Sequence, residues 1–206
     1  GKLDLSSYDR LSEFLDMFDI LKKYNVAKGD PLGADYDEMA IDLADGKTVF
    51  WFNGNWAWPN ISEAGAEEED AYGFLPYFLN NDTDDFANQQ IQASPSKQIM
   101  LDGQIATEKE QKAAKEFLNW IVFSEIGQQM LVKTCNIIPP FQNNPYEPSD
   151  PLSADIYAKV HEEKAFNASA IVPNDHWAVL GAAMQKYLAG RSGRDEMISS
   201  VQGYWD

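Results

Sequence analysis

Apolar residues at three-and-four spacing mark much of this chain as helix. Leu11, Phe14, Leu15, Phe18 and Leu21 recur between Asp and Lys over residues 8–24, the pattern of a helix with one buried stripe. Tyr36, Met39, Ala40 and Leu43 predict a second, shorter helix closed by Gly46. Thr107 and Glu110 have capping-box spacing, in which each side chain satisfies a backbone donor of the first turn. Ala113, Ala114, Phe117, Leu118 and Ile121 then mark the buried face of the helix they open. Ser124 can cap another from Glu125 to about Lys133. Residues 152–165, 175–189 and 194–204 read as three more, the last with Ser192 and Asp195 as its cap.

The pattern changes at Lys47–Phe52, where β-branched and aromatic residues predict a strand. YGFLPYFL (72–79), interrupted by Pro76, and SKQIML (96–101) are two more strand candidates. Trp58 and Pro59 open a short helical turn. SEAGAEEEDA (62–71) reads as an acidic loop or frayed helix, and NNDTDDFANQQ (80–90) as a polar loop. IIPPFQNNPYEPSDP (137–151) is expected to be extended and exposed. Short strands alternating with helices predict an α/β arrangement. The strands are nevertheless too few to cover so many apolar helix faces.

Composition changes the picture mainly by exclusion. With 44% hydrophobic and 13% aromatic residues in 206, the chain is globular despite a net charge of −17, and its length fits one large domain or two small ones. That acidity argues against nucleic acid, which needs clustered Lys and Arg, and disfavours anionic lipid. Its simplest effect is solubility. The one cysteine, Cys135, excludes an intrachain disulfide and is expected to be a buried structural thiol. No apolar run approaches the ~18 residues of a membrane span, so this segment is not expected to insert in a bilayer. The opening GKLDLSSYDR reads as a boundary and not as a natural start, so the lack of a visible signal peptide says little about localisation.

A search for catalysis ends empty. Among 33 Asp and Glu, carboxylate pairs carry no information. His161, in HEEKA, lacks the second His of a metalloprotease helix and reads as a solvated helix residue. GKT at 46–48 lacks the glycine five positions earlier that a phosphate loop needs; Ile41 stands there. There is no GxSxG elbow, and NDTDD (81–85) lacks the glycine and closing glutamate of a calcium loop. No catalytic residue, metal or cofactor is expected, and a binding role gains by elimination.

FWFNGNWAWPNI (50–61) puts three tryptophans and two phenylalanines beside a turn that belongs at the surface. A pyranose offers an apolar C–H face and a rim of hydroxyls. A Trp ring matches the first, and short amides and carboxylates match the second. Asn53, Asn55 and Trp56 supply both within four residues, and Asp175, His176 and Trp177 supply both again at a helix start. The competing reading is that these large rings pack in a core, above all Trp51, which sits mid-strand.

Three blocks carry a family resemblance: DYDEMAIDLADGKTVFWFNGNWAWPNI (35–61), GQIATEKEQKAAKEFLNWIVFSEIGQQML (103–131) and NDHWAVLGAAMQKYLAGRSGRDEMISSV (174–201). In this order they resemble the solute-binding proteins of carbohydrate ABC transporters, the maltose-binding-protein-like family 1. The resemblance implies the periplasmic-binding-protein-like (type II) fold: two α/β lobes with sugar held in the cleft, hinge closure, and docking on a membrane permease. It implies that Trp56 and Trp177 stack on sugar rings with Asn53, Asn55 and Asp175 as polar contacts, while the family's next contact falls on Gly181 and is lost. It implies an extracellular location, periplasmic or lipid-anchored, and no enzymatic activity. The chain resembles a helix-rich C-terminal half, with 1–87 and 137–206 in the C-lobe and 88–136 crossing into the N-lobe. The apolar face of Phe117, Leu118 and Ile121 is then expected to be covered by a neighbour or left exposed. The alternatives are a secreted glycan-active enzyme or carbohydrate-binding module, which as an enzyme would need two carboxylates at fixed separation, and the same fold holding a peptide, polyamine or metal.

Overall fold

A computed structural model describes residues 4–67, 71–95, 98–168 and 172–206. Helices dominate: α1 (Asp9–Tyr24), α2 (Tyr36–Ala44), α3 (Trp58–Glu63), α4 (Phe86–Gln89), α5 (Glu108–Phe123), α6 (Glu125–Gln129), α7 (Pro151–His161), α8 (His176–Leu188) and α9 (Arg194–Trp205). The described strands are β1 (Ile91–Gln92) and β2 (Ala165–Phe166), paired in parallel with Ile91 opposite Ala165. The chain forms two compact units, one of Gly1–Trp51, Pro76–Gln89 and Ser169–Asp206, the other of Phe52–Leu75 and Gln90–Ala168.

The core of the first unit lies among α1, α8 and α9. Leu15 is fully buried with Ala183, Tyr187 and Met197, and Leu11, Phe18, Met184, Ile198 and Val201 pack around them. The α1 stripe read from the sequence therefore supplies Leu11, Leu15 and Phe18 to the core, while Phe14 and Leu21 stay at its exposed margin. Tyr187 keeps its ring inside and donates its hydroxyl to Asp19. Arg194 joins the same rim, donating to Asp16 and, at 2.9 Å, to Asp19. Lys22 lies 4.2 Å from the Tyr187 ring centroid and donates to the Tyr187 carbonyl. Burial, and then Asp19, push the Tyr187 phenol up, and the hydroxyl in turn holds the Asp19 carboxyl low.

The polar loop at 80–90 is built around two of its own side chains. The buried Asn88 amide donates to the Asn80 carbonyl, the Asn80 side chain and the Asp82 carbonyl, and accepts from the Leu79 N–H. Asp85, whose side chain is 6% exposed, accepts from Arg10 at 2.5 Å, from Asn80 at 2.9 Å and from the Ala87 N–H. The four-residue helix α4 and the residue before β1 complete a stretch read from sequence as loop throughout.

In the second unit the predicted caps are in place. Thr107 and Glu110 form a reciprocal capping box on α5, and Ser124 accepts from the Gly127 N–H to start α6. A β-carbon on Gly127 would sit 2.6 Å from the Ile121 Cα and the Trp120 carbonyl, so the α5–α6 corner closes only over glycine. Gln128, buried, locks that corner by donating to the Val122 and Asn143 carbonyls. The helix continues as a π-helical turn over Met130–Thr134. α5 buries none of its residues: Phe117 is exposed and Leu118 and Ile121 are half-buried. Asp150 caps α7 through the Ser153 N–H, with Pro151 at its first position.

Several expectations need correction. Lys47–Phe52 is not a strand, and neither are 72–79 or 98–101; Ser96 and Lys97 of SKQIML lie outside the described residues. A strand needs a hydrogen-bonded neighbour, and Val49, Phe50, Ile99 and Met100 are instead exposed. The α/β alternation thus reduces to one two-stranded ladder in a helix-rich chain. Cys135 is exposed and not buried, because it follows the last turn of the π-helical segment where the chain leaves the helix. α9 starts after Gly193 with no side-chain cap, and the Ser192 hydroxyl is buried without a partner among the described residues. Glu68, Glu69 and Asp70 of the acidic run lie outside the described residues.

The Asp85 ion pair predicts an acid-sensitive loop. Hydrogen bonds from Arg10, Asn80 and Ala87 hold its carboxyl down to about 2. A depressed carboxylate contributes stability above its unfolded pKa of roughly 3.9 and loses it as pH falls toward the folded value. Asp85→Asn should therefore melt below the wild type at pH 7, with the gap narrowing between about pH 4 and pH 2. Melting curves at pH 7, 4 and 2 read this directly; a gap that stays constant over that range would refute the ion-pair account.

Candidate functional site

Two aromatic surfaces stand out, one in each unit. The first is built at the turn before α3. Gly54 is extended (φ −125°, ψ 175°) and buried, and a one-turn 3-10 helix, Asn55–Ala57, follows it. The Trp56 indole folds back over Gly54: a β-carbon there would lie 2.3–2.6 Å from three atoms of the ring. The ring is thereby supported on one side by backbone, yet Trp56 leaves 64% of its surface to solvent. Its neighbour Trp58 does the opposite. It is 6% exposed and meets Tyr72 edge-on at 5.6 Å, so it is a core residue.

The polar residues of this turn are partly engaged in holding it. The Asn53 side chain accepts from the Gly54 N–H at 2.8 Å. The Asn55 amide donates at 3.1 Å to the hydroxyl of Ser153, which is itself buried in the first turn of α7. Asn53, Asn55 and Trp56 are thus brought together, and Gly54 and Ser153 are the residues that fix them. NGN signalled the glycine; nothing in the sequence signalled Ser153.

The second surface lies where α8 begins. Asp175 stands before the helix in right-handed helical conformation and makes no cap hydrogen bond to it. Its carboxylate instead accepts from the Tyr204 hydroxyl, 2.7 Å away on α9. That bond pushes the Tyr204 phenol up to about 12. His176 is half-buried and packs against three rings: Trp177 at 4.8 Å, Trp205 at 5.2 Å and Tyr204 at 5.8 Å. Trp177, braced by His176, is 66% exposed. Asp175 and Trp177 are brought together here. Tyr204 and Trp205 complete the cluster, and the GYWD tail carries no sequence pattern that would have pointed to them. Trp51 belongs to neither surface and contacts Tyr36, rings 5.0 Å apart.

Other concavities are poorer sites. A hollow of about 570 Å³ runs along the polar side of α5, and a single helix lines it. A groove of about 420 Å³ between α8 and α9 is lined mainly by Ala178, Val179, Ala182 and Ala183. Among the described residues no group of three His, Cys, Asp or Glu side chains could hold a metal ion, and no helix is long and apolar enough to cross a membrane.

A family model described as bacterial extracellular solute-binding protein matches residues 7–159. No curated protein matches the chain.

The support beneath Trp56 makes a sharp prediction. In Gly54→Ala the new methyl and the indole compete for one space, so the ring must swing off the backbone or the turn must open, at roughly 1–3 kcal/mol. The Trp56 indole N–H resonance should shift and the protein should melt earlier. An unchanged resonance and melting temperature would show that the ring does not rest on Gly54 in solution.

Proposed function

The chain belongs to the bacterial extracellular solute-binding proteins, and from that premise we propose that its solute is a sugar or oligosaccharide, stacked on Trp56 and Trp177. Solute binding in transport, on the outer side of the membrane, is the role of this family. The finer reading adds a type II periplasmic-binding-protein-like fold whose hinge closure hands the sugar to the permease of an ABC transporter. It adds a periplasmic or lipid-anchored position at the cell surface.

One observation carries the sugar reading: two indoles stay largely in water while each is held from behind, one by Gly54 and one by His176. A ring in water forgoes the stabilisation of burial, roughly 25 cal/mol for each Å² of apolar surface. A sugar's C–H face restores that on binding. Asn53, Asn55 and Asp175 stand beside the rings as partners for hydroxyls. Micromolar affinity requires about −8 kcal/mol, a scale that two stacked rings and several hydrogen bonds can largely meet.

Titration of tryptophan fluorescence with a panel of neutral oligosaccharides tests the reading. We expect saturable quenching or enhancement, weakened at least tenfold in Trp56→Ala and in Trp177→Ala, a loss of roughly 1.4 kcal/mol or more in each. Unchanged affinity in both variants would remove the two residues from the site. Hydrolysis of the sugar on prolonged incubation would favour the glycan-active alternative, and binding of a cation in place of sugars would keep the rings and change the solute class.

A further inference from the structure

We propose that Tyr204 and His176 are positioning residues for the α8 surface, Tyr204 fixing the Asp175 carboxylate and His176 bracing the Trp177 indole, so that a ligand meets both in one preset geometry. The inference rests on the reading of Asp175 and Trp177 as ligand contacts.

The geometry departs from what an aspartate before a helix ordinarily does. In that place the carboxylate usually accepts from N–H groups of the first turn. Asp175 does not. Its Oδ1 is turned to the Tyr204 hydroxyl on a different helix, and no hydrogen bond to its other oxygen is present among the described residues. One oxygen is thus anchored and the other remains available to a hydroxyl or amine.

His176 is held in a similarly unusual way. Its Nδ1 is shielded from solvent with no hydrogen-bond partner among the described residues. Ring contacts therefore fix the imidazole: Trp205 at 5.2 Å with planes at 51°, and Tyr204 at 5.8 Å. Tyr204 and Trp205 meet each other edge-on at 5.2 Å. From that bed the imidazole meets Trp177 nearly perpendicularly, at 74° and 4.8 Å. The last turn of α9 thus supports Trp177 in the first turn of α8 and Asp175 just before it. Ordering a side chain on binding costs conformational entropy, so a braced indole and an anchored carboxylate bind with less entropic loss than free ones.

The same contacts would be made by a clamp that only ties α9 to α8, and the experiment must separate the two. In the ligand-free protein, the heteronuclear NOE of the Trp177 indole N–H reports its order. Maltotriose serves as the probe sugar, and thermal melting reports the fold. We expect His176→Ala to drop the indole NOE from the rigid toward the flexible range. We expect Tyr204→Phe, which keeps the ring and loses the hydroxyl, to weaken maltotriose about fivefold with little change in melting temperature. Asp175→Asn should let the Tyr204 phenol, read by ultraviolet titration, fall from about 12 toward the usual 10. The proposal is overturned if the variants melt early while indole order and affinity stay as in the wild type, or if the wild-type phenol already titrates near 10. Should the wild type ignore maltotriose while the indole loosens in His176→Ala, the positioning stands and the sugar reading is what fails.

Discussion

Keeping an indole in water and also keeping it still is the constraint on which both surfaces are built. A buried Trp is fixed by its neighbours on all sides, as Trp58 is against Tyr72. An exposed one has solvent on one face and must be held from the other. The chain solves this twice with different means. At the first surface the support is an absence, because Gly54 has no side chain and the ring lies on bare backbone. At the second it is a bed of rings, with His176 between Trp177 and the aromatic end of α9. Each solution ties the ring to a buried feature. The turn carrying Trp56 is hydrogen-bonded through Asn55 to the buried Ser153, and α8 is seated through Tyr187 in the core with Leu15 and Met197.

The rest of the molecule shows why such ties are polar. With one two-residue ladder in the described chain, sheet hydrogen bonds fix little of it. Loops are instead fixed by side-chain amides and carboxylates that reach backbone groups, as Asn88 does at 79–82 and Gln128 does at the α5–α6 corner. Asp155 does the same by accepting from the Phe74 N–H. A buried backbone donor left without a partner costs as much as a lost hydrogen bond, and short polar side chains are the cheapest way to supply one where no strand runs alongside. Much of the chain's Asn and Asp thus has local structural employment, and its abundance alone points to no ligand.

Legibility followed the range of the interaction involved. The helices were readable because their signals are local: α1 announces itself by Leu11, Leu15 and Phe18, and α5 by a capping box within the four residues Thr107–Glu110. The strands were not. TVFWF has the right residues, but a strand also needs a partner from elsewhere in the chain, and among the described residues none forms a ladder with Val49 or Phe50. The ladder that does form, Ile91–Gln92 with Ala165–Phe166, is too short to leave a pattern. At the candidate surfaces the aromatic residues were visible, and Trp56 and Trp177 are exposed. Their partners were not visible, since Ser153 and Tyr204 reach Asn55 and Asp175 from 98 and 29 residues away.

Exposure by itself does not make a recognition surface, and α5 and α6 show the difference. Phe117 and Trp120 stack at 6.0 Å, and Phe123, Ile126 and Met130 continue the exposed apolar face. Its gain on burial comes from apolar area alone, which is non-directional and would reward any apolar cover. At Trp56 and Trp177, by contrast, each ring stands within a few residues of an oriented amide or carboxylate whose position is fixed by a named partner. Directional groups beside a flat ring discriminate among ligands, because a solute that covers the ring and leaves the carboxylate unpaired loses a hydrogen bond it would have kept in water. On the proposed reading, selectivity therefore resides where ring and polar group are held together, whereas the exposed apolar residues of α5 and α6 offer only the non-directional chemistry of packing.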